Sequence, residues 1–470
     1  MKLPSLALFC LSAFLWAQPK PTQLVFTNVN IVDPRDGSIK PNMTVVVANG
    51  HIKAIARVGL IGKGRDLEVI NANGEYMIPG LWDMHVHSAF ADAPWDENVI
   101  YPLYVANGIT GIRDMGGDPQ LLERRRQRIN QGQLLGPHMV MVGPFLDGSK
   151  NDAQTLAVDT PAKARDAVDS VKQRGFDFVK ILSRIPRDSY FAIAEESKKD
   201  KIQFVGHVPD TVSVAEASAA GQRSIEHLTG ISLACSSREE QLRQLRLDSR
   251  AKHDFAAYEA AGMQAIATYD AAKAHALFAQ FAANHTWQAP TLVWTHANAN
   301  LDDPDISSDP RLKYLPAKVR AQWDPKTLLQ HASPHEMADL KTEFARDMEL
   351  VKGLQAAGVP LLAGSDGPDP YVFPGFSLHD ELEWLVKSGL TPLQALEAAT
   401  SGPASFLGSS DRYGAVEKGK VADLVLLDAN PLDDIRNIRK IAAVVLGGKY
   451  YSRKDLDNIL AQVEAAAAKD

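Results

Sequence analysis

Short apolar runs alternate with polar positions and turn residues at both ends of the chain. Near the start, segments 23–33, 44–47 and 51–56 are rich in Val, Ile and Ala and are separated by Gly, Asn and Pro. Near the end, segments 419–428 and 441–448 have the same character. Such patterns predict β-strands rather than helices. Neither set can enclose a core alone, so the two sets form either one shared β-unit or two unrelated edge sheets.

The middle of the chain repeats another pattern, in which an apolar run carries a residue that can bind metal at or near its end. The candidates in chain order are His85 with His87, then Lys180, His207, His227 and Asp366. The carboxyl ends of parallel strands meet at one face of a barrel. The pattern therefore predicts a barrel whose strand ends converge on a metal centre, which is typical of a hydrolase.

His85 and His87 are separated by one residue in the run from Tyr76. Side chains at i and i+2 of a strand project to the same side, so these two imidazoles can bind one ion. Zinc accepts imidazole nitrogen and tolerates mixed nitrogen and oxygen ligands. The alternative is a pair of ordinary surface or core histidines.

Lys180 interrupts the apolar run 176–182, which otherwise predicts a buried strand. An ammonium group is costly to bury, so this lysine must reach solvent, pair with a carboxylate, lose its proton or be chemically converted. Reaction with carbon dioxide would give a carbamate, whose two oxygens can bridge two cations. A lysine that merely extends to solvent from the strand end is the alternative.

His207 and His227 each end a short apolar segment, and the Ala-rich stretch 214–221 between them suits a crossover helix. That length matches a strand, helix and strand of a parallel barrel. Asp366 ends the apolar segment 359–366, which predicts another strand. A Ser-Asp pair after a strand can alternatively be a helix N-cap.

Taken together, these motifs resemble the amidohydrolase superfamily, and within it the imidazolonepropionase-like and prolidase-like branch with a binuclear metal centre. The resemblance rests on Pro79-Gly80-Leu81-Trp82-Asp83-Met84-His85-Val86-His87 followed by the lysine, the two later histidines and the aspartate in the expected order. It implies an α/β fold, a (β/α)8 TIM-type barrel over residues 81–410 with a smaller β-sandwich formed by residues 18–80 and 411–470.

The resemblance also implies roles for the candidate ligands. His85, His87 and Asp366 would hold the more buried of two divalent ions, His207 and His227 the more exposed one, and carbamylated Lys180 would bridge them. Zinc is the expected metal because it supplies hydroxide near neutral pH. The bridging hydroxide would attack the substrate carbonyl, with Asp366 as general base and then general acid.

One position departs from the peptidase-type members, which tend to carry a tyrosine two residues after the strand-five histidine. Here that position is Pro209, which has neither a hydroxyl nor a backbone donor. If the chain cleaves amides, the substrate oxygen must rely on metal or on another donor. His138 and Tyr371 are the substrate-binding candidates, and loop or supporting roles are the alternative for both.

The predicted barrel is longer than the roughly 250 residues that eight strand–helix units need. The surplus lies mainly in 236–285 and 297–350, which have helical periodicity, and the run 287–294 between them predicts the seventh strand. Loops after barrel strands build the active-site mouth, so these insertions are expected to select the substrate.

Composition excludes some partner classes. The 470 residues are 45% hydrophobic and 23% charged with a formal net charge of −7, which gives no basic surface for nucleic acid. The one arginine-rich cluster, 124–128, is better explained as a solvated helix face. We expect a small-molecule substrate, no nucleic-acid partner and no membrane association after signal cleavage. A homo-oligomer is compatible with the sequence.

The N-terminus resembles a secretory signal peptide, with Lys2, an apolar stretch over 6–16 and a small residue at Ala17. Cleavage after residue 17 would remove Cys10 and leave Cys235 as the only cysteine, so no intramolecular disulfide could form. The predicted location is periplasmic or secreted.

The sequence therefore predicts a metal-dependent hydrolase of a C–N bond in a small amide, such as a dipeptide or an N-acyl amino acid. A lactonase, a cyclic-amide hydrolase or a deaminase on the same centre is the first alternative. A catalytically silent binding protein is the second, although it has little physical reason to keep six costly polar groups together.

Overall fold

The structure is a computed structural model that describes residues 23–57, 67–89, 95–150, 154–330 and 332–469. The predicted signal peptide and Cys10 lie outside the described residues. The strands are β1 Gln23–Val32, β2 Ile39–Ala48, β3 His51–Arg57, β4 Leu67–Asn71, β5 Tyr76–Pro79, β6 Leu81–Val86, β7 Ile109–Asp114, β8 His138–Asp147, β9 Thr155–Ala157, β10 Phe178–Ile181, β11 Gln203–Gly206, β12 Ser224–Glu226, β13 Trp287–Ala289, β14 Leu424–Leu427, β15 Ile441–Leu446 and β16 Lys449–Ser452.

The helices surround the strands and fill the long connections. They are α1 Tyr101–Ala106, α2 Pro119–Asn130, α3 Pro161–Gln173, α4 Arg187–Asp200, α5 Val214–Ala219, α6 Ile231–Ala234, α7 Glu239–Ala251, α8 Phe255–Ala267, α9 Ala271–Asn284, α10 Leu292–Ala299, α11 Ala317–Gln322, α12 Pro325–Leu328, α13 Pro334–Ala356, α14 Phe376–Lys387, α15 Pro392–Ala398, α16 Ser401–Phe406 and α17 Arg453–Ala467. Within the described ranges, none of these helices is long and apolar enough to span a bilayer.

A parallel sheet in the order β13-β12-β11-β10-β8-β7-β6 forms a nearly closed barrel. The segment 361–367 lies in the gap, since Leu361 bridges to Gln288 of β13 and Gly367 bridges to Val86 of β6. We predicted a continuous strand over 359–366, but the segment makes only isolated bridges. Two features interrupt its ladder: the Ser365 amide donates to the Asp83 side chain, and Asp366 has φ of 62°.

The prediction of a seventh strand over 287–294 is wrong beyond Ala289. Strand β13 ends there, and Leu292 already begins helix α10. Pro290 has no amide hydrogen for the ladder, and Thr291 adopts a left-handed φ of 51°. These two residues turn the chain into the helix, and they place Trp294 in its first turn.

The terminal segments meet in a second sheet, in the order β16-β15-β14-β5-β1-β2-β3. Strand β14 from the C-terminal part pairs antiparallel with β5 from the N-terminal part. Strand β1 pairs with β4 along its first half and with β5 near its end. The two sets of strands thus belong to one sheet. Its description as a sandwich and the exact domain boundaries stay predictions.

Apolar side chains fill the barrel interior below the predicted site. Trp82, Met84, Val142, Phe178 and Phe406 belong to one buried cluster inside the sheet. The polar side chains of the candidate site lie above this cluster, at the carboxyl ends of the strands.

Candidate metal centre

The structure brings together the four histidines and the aspartate that the sequence predicted. Asp366 Oδ1 lies 3.3 Å from Nε2 of His85 and 3.2 Å from Nε2 of His87. The ring of His227 lies 4.5 Å from that of His85 and 5.2 Å from that of His207, measured between centroids. Ligand atoms of His85, His87 and Asp366 all lie within 4.8 Å of one another, close enough to share an ion.

Lys180 belongs to the same cluster. It lies on β10, directly before the strand end, and only 1% of its surface is exposed. Burial lowers its pKa to about 8, although the carboxylates of Glu226 and Asp366 act in the opposite direction. Gly206, its neighbour on β11, has a φ of 128°, and a Cβ there would lie 2.2 Å from the Ile181 carbonyl oxygen. Glycine at this position lets the two strands approach beside the lysine.

All four imidazoles are anchored through Nδ1. The oxygen partners are Glu226 Oε2 for His85 at 2.8 Å, Gly116 O for His87 at 2.6 Å, Ser183 Oγ for His207 at 2.9 Å and Thr291 Oγ1 for His227 at 2.8 Å. Metal-binding histidines commonly donate one ring nitrogen to an oxygen in this way, which fixes the tautomer and the ring orientation. With Nδ1 engaged in this way, the Nε2 atoms are the candidate ligand atoms.

Hydrogen bonding fixes the direction of the contact to Thr291. The Thr291 hydroxyl donates to the carbonyl oxygen of Pro290 at 2.8 Å, so it accepts from Nδ1 of His227. Both His227 and Thr291 have left-handed backbone angles, with φ of 56° and 51°. Non-glycine residues rarely adopt this conformation, and it is enriched at functional sites.

A fully buried ion pair supports His85 from below. Glu226 accepts from Nη2 of Arg113 at 2.8 and 3.0 Å, and Ser224 also hydrogen-bonds to this carboxylate. Arg113 donates further to the Met84 carbonyl oxygen at 2.6 Å. Burial lowers the pKa of Arg113, and the Glu226 charge opposes that shift. The pair therefore satisfies its own charges while it orients a candidate ligand histidine.

Burial keeps most of the histidines neutral. It lowers the pKa values of His85, His207 and His227, and the nearby charge of Lys180 lowers them further. Burial acts the same way on His87, but the hydrogen bond and charge of Asp366 outweigh it and raise the pKa of His87. Neutral imidazole is the form that binds metal.

The donor set fits a divalent cation. Nδ1 of His85 faces the Glu226 carboxylate, so in the neutral ring Nε2 carries a lone pair. That lone pair faces Oδ1 of Asp366 at 3.3 Å, and Nε2 of His85 is buried without a hydrogen-bond partner among the described residues. Two electron-pair donors at this distance repel each other unless a cation lies between them.

The structure does not bring His138 to this cluster, which corrects the prediction that it contacts substrate there. His138 is the first residue of β8 and is in register with Gly111, whereas the ligands lie at the opposite ends of the strands. Its Nε2 lies 3.0 Å from Asp423 Oδ2, beside the terminal sheet. Its place is at the amino face of the barrel.

Tyr371 packs between an aromatic residue of the second insertion and one of the segment after Asp366. Its ring centroid is 6.2 Å from Trp323 and 6.3 Å from Phe373, and its side chain is mostly buried. Its contacts therefore indicate packing of the insertion against the segment after Asp366.

The first insertion docks beside Pro209. Asp210 accepts from Arg246 Nε at 2.9 Å and from the Tyr258 hydroxyl at 3.0 Å, and its Oδ2 lies 2.9 Å from Arg250 Nη2. Arg250 also donates to the carbonyl oxygen of Ser183 at 2.9 Å. Helices α7 and α8 are thereby tied to the loops that follow β11 and β10, where His207 and its Ser183 anchor lie.

Sequence reasoning missed three buried charged residues, Asp83, Arg113 and Glu226. Asp83 accepts from the amide and hydroxyl of Ser365 at 2.9 and 2.6 Å, and burial raises its pKa to about 7. Each lies in a short apolar strand, and two adjoin or nearly adjoin a ligand histidine. A charge in a run that is otherwise apolar was the available signal.

The chain is similar in sequence or fold to several known proteins. A model of the amidohydrolase family matches residues 76–450. Ochratoxinase from Aspergillus niger is 33% identical over 109 residues, which is 22% of this chain and 22% of that relative's own length. Bottromycin amidohydrolase superposes over 95% of this chain and 91% of its own, with 23% identity and a TM-score of 0.74. A Xaa-Pro dipeptidase superposes over 92% and 100%, with 18% identity and a TM-score of 0.64.

Proposed function

This chain belongs to the amidohydrolase family, and we propose that it is a metal-dependent hydrolase that cleaves a C–N bond in a small amide. The observation that carries the proposal is the set of four histidines anchored through Nδ1 around Asp366 and Lys180. A structural role would not need four imidazoles around a carboxylate and a lysine at the carboxyl ends of barrel strands, where this type of barrel carries its active site.

We assign His85, His87 and Asp366 to one divalent ion and His207 and His227 to a second. Lys180, converted to its carbamate, would bridge the two, and zinc is the proposed metal. When bound, such a pair of ions makes water a stronger nucleophile and polarises the substrate carbonyl. The buried pair of Glu226 and Arg113 holds His85 in position for this role.

Asp366 is the proposed proton carrier. Its Oδ1 lies beside the Nε2 atoms of His85 and His87, and its Oδ2 lies 3.7 Å from Nδ1 of His227. The surrounding histidines and Lys180 outweigh the effect of burial and lower the pKa of Asp366. As a ligand of a divalent ion its carboxylate would be ionised, and it would accept a proton from the attacking water and transfer it to the leaving nitrogen.

Dipeptides and N-acyl amino acids are the proposed substrates. The names of the similar proteins, a dipeptidase and an amidohydrolase, favour amide bonds. Pro209 offers no donor to the substrate oxygen, so that oxygen depends on the metal centre. The proposal includes a (β/α)8 barrel over 81–410, with 361–367 as its eighth position, a terminal β-sandwich, and an exported protein without its first 17 residues.

A substrate screen tests this proposal. Zinc-loaded protein is incubated with dipeptides, N-acyl amino acids, lactones and cyclic ureas, and an Asp366→Asn variant with equal metal content serves as the control. We expect hydrolysis of linear amides by the wild type and a loss of at least about a hundredfold in the variant. Turnover of lactones or cyclic ureas alone would contradict the amide assignment, and equal turnover by the variant would contradict the role of Asp366.

A further inference from the structure

An aromatic ring flanks the metal centre on the β8 side. The ring centroid of Phe145 lies 5.9 Å from that of His87, and Phe145 is the register partner of Lys180. Its side chain is half-buried, yet it belongs to none of the hydrophobic clusters formed by the described residues. An aromatic ring that faces metal ligands and contributes to no core is available to a substrate.

The backbone of Gly116 sets the position of this ring. A Cβ on Gly116 would lie 2.1 Å from Cε1 of Phe145, so the ring rests directly against a glycine. The carbonyl oxygen of the same Gly116 anchors Nδ1 of His87 at 2.6 Å. One residue thus fixes both a ligand histidine and the aromatic ring beside it.

A second aromatic ring flanks the centre on the β13 side. Trp294, in the first turn of α10, has its ring centroid 5.7 Å from that of His227, and it is half-buried, with part of its surface packed against the main hydrophobic core. Its Nε1 donates to Asp369 Oδ2 at 2.5 Å. This hydrogen bond fixes the indole, and Asp369 belongs to the same loop as the ligand Asp366.

The two rings lie on opposite sides of the barrel mouth. Counted from β6, the strand that carries Phe145 is third in the sheet, and β13, which precedes Trp294, is seventh. With the segment 361–367 in the eighth position, the third and seventh positions face each other across the barrel. The metal ligands lie at the strands between them.

We propose that Phe145 and Trp294 are specificity-determining walls, and that the substrate carries an apolar, preferably aromatic, group on each side of the scissile amide. This inference rests on the proposed function and deepens it. A carbonyl held at the centre directs its acyl and amine arms to opposite sides, where each arm meets one ring. Aromatic contact then adds binding to each arm independently.

Four matched amides test the inference: N-acetylglycine, N-benzoylglycine, N-acetylphenylalanine and N-benzoylphenylalanine. We expect kcat/KM of the zinc-loaded wild type to rise about tenfold for each aromatic arm. Phe145→Ala should abolish the preference for an aromatic group on one arm, and Trp294→Ala should abolish it on the other. Trp294→Phe, which keeps a ring, should retain most of the preference. Phe255→Ala, at an exposed aromatic residue on α8, is the control and should change neither.

The outcomes separate this inference from the proposed function. If the wild type hydrolyses the amides without preference for aromatic arms, or if both alanine variants keep both preferences, the inference is overturned while the function stands. If none of the four is hydrolysed, equilibrium binding of the same compounds decides. If the wild type binds the aromatic compounds more tightly and both alanine variants lose this preference, the roles of Phe145 and Trp294 stand although the proposed hydrolysis fails. If the wild type binds all four compounds equally well, the inference is overturned.

Discussion

Nδ1 of His85 lies 2.8 Å from Oε2 of Glu226, and this carboxylate is paired with the fully buried Arg113. A single acidic side chain therefore orients a candidate ligand histidine and neutralises a guanidinium inside the barrel. Supporting contacts of this kind are as much a part of a metal site as the ligands themselves.

Replacement of Glu226 tests that relationship. Glu226→Gln should weaken zinc binding about 10- to 100-fold, because His85 loses its charged acceptor. It should also lower the free energy of unfolding by about 3–5 kcal/mol, because Arg113 stays buried without its counter-charge. Competition with a chelator measures the first effect and chemical denaturation the second.

Ser224→Ala is the matched control for Glu226→Gln. It removes a hydroxyl that contacts both Arg113 and Glu226 but does not contact His85. We expect lower stability with zinc affinity little changed. Equal losses of zinc affinity in both variants would show that Glu226 acts only through the fold.

Ser183 is expected to position His207. Its hydroxyl lies 2.9 Å from Nδ1 of the histidine, and its carbonyl oxygen is held by Arg250. Ser183→Ala should reduce affinity for the second zinc ion about tenfold, whereas Ser183→Thr keeps the hydroxyl and should restore it. Isothermal titration of the metal-free protein measures both sites, and a weakened first site with an intact second one would contradict the assignment.

Asp210 is expected to secure the first insertion. Asp210→Ala would leave the guanidinium groups of Arg246 and Arg250 without their shared carboxylate, at a cost of about 3 kcal/mol. Limited proteolysis should then cut within 236–285 at lower protease concentration. Asp302→Ala, which breaks an exposed pair with Lys341, is the control and should leave the cleavage pattern unchanged. Protection equal to the wild type in Asp210→Ala would exclude this docking contact.

Glu381 gives the fold a defined pH dependence. Its Oε2 accepts from the Val293 amide at the start of α10, and burial raises its pKa from 4.5 to about 8. Between those values the folded protein holds a proton that the unfolded chain has released. The contribution of Glu381 to the free energy of unfolding is therefore greatest below pH 4.5. It is lost as the pH rises to about 8, by up to about 1.4 kcal/mol per pH unit.

Glu381→Gln should remove this dependence and keep the acceptor for Val293. The melting temperature of the variant should match the wild type near pH 5 and exceed it increasingly toward pH 8. A difference between the two proteins that does not change with pH would show that Glu381 is ionised in the fold.

The convergence of the candidate ligands could be predicted because their positions follow from local rules. His85 and His87 share one side of a strand by alternation, and the ends of parallel strands must meet, which brings His207, His227 and Asp366 beside them. The pairing of Arg113 with Glu226 could not be predicted, because the two are 113 positions apart and a charge in an apolar run does not show which residue is its partner.

Two predictions were wrong because the sequence pattern does not fix where a strand begins and ends. His138 precedes a long apolar run, but sequence alone did not show that it begins the strand and so faces away from the ligands. The strand predicted over 287–294 ends early because Thr291 adopts a left-handed backbone conformation, and a threonine in the sequence does not indicate that conformation. Local patterns thus predicted which residues converge, but not every strand boundary.

Lys180 separates a two-ion centre from a one-ion centre. Lys180→Ala removes the only proposed bridging group, so zinc content should fall from about two ions per chain to about one or fewer, with loss of amide hydrolysis. Zinc content is measured by elemental analysis after loading with bicarbonate present. If the variant keeps its full zinc content and its full activity, a carbamate on Lys180 does not bridge the ions.

The most direct test of the central claim is a crystal structure of the zinc-loaded protein, with an anomalous difference map recorded above the zinc absorption edge. The account predicts two peaks, one beside His85, His87 and Asp366 and one beside His207 and His227, joined by extra density on Nζ of Lys180. A single peak with an unmodified lysine, or no peak within the histidine cluster, would contradict it.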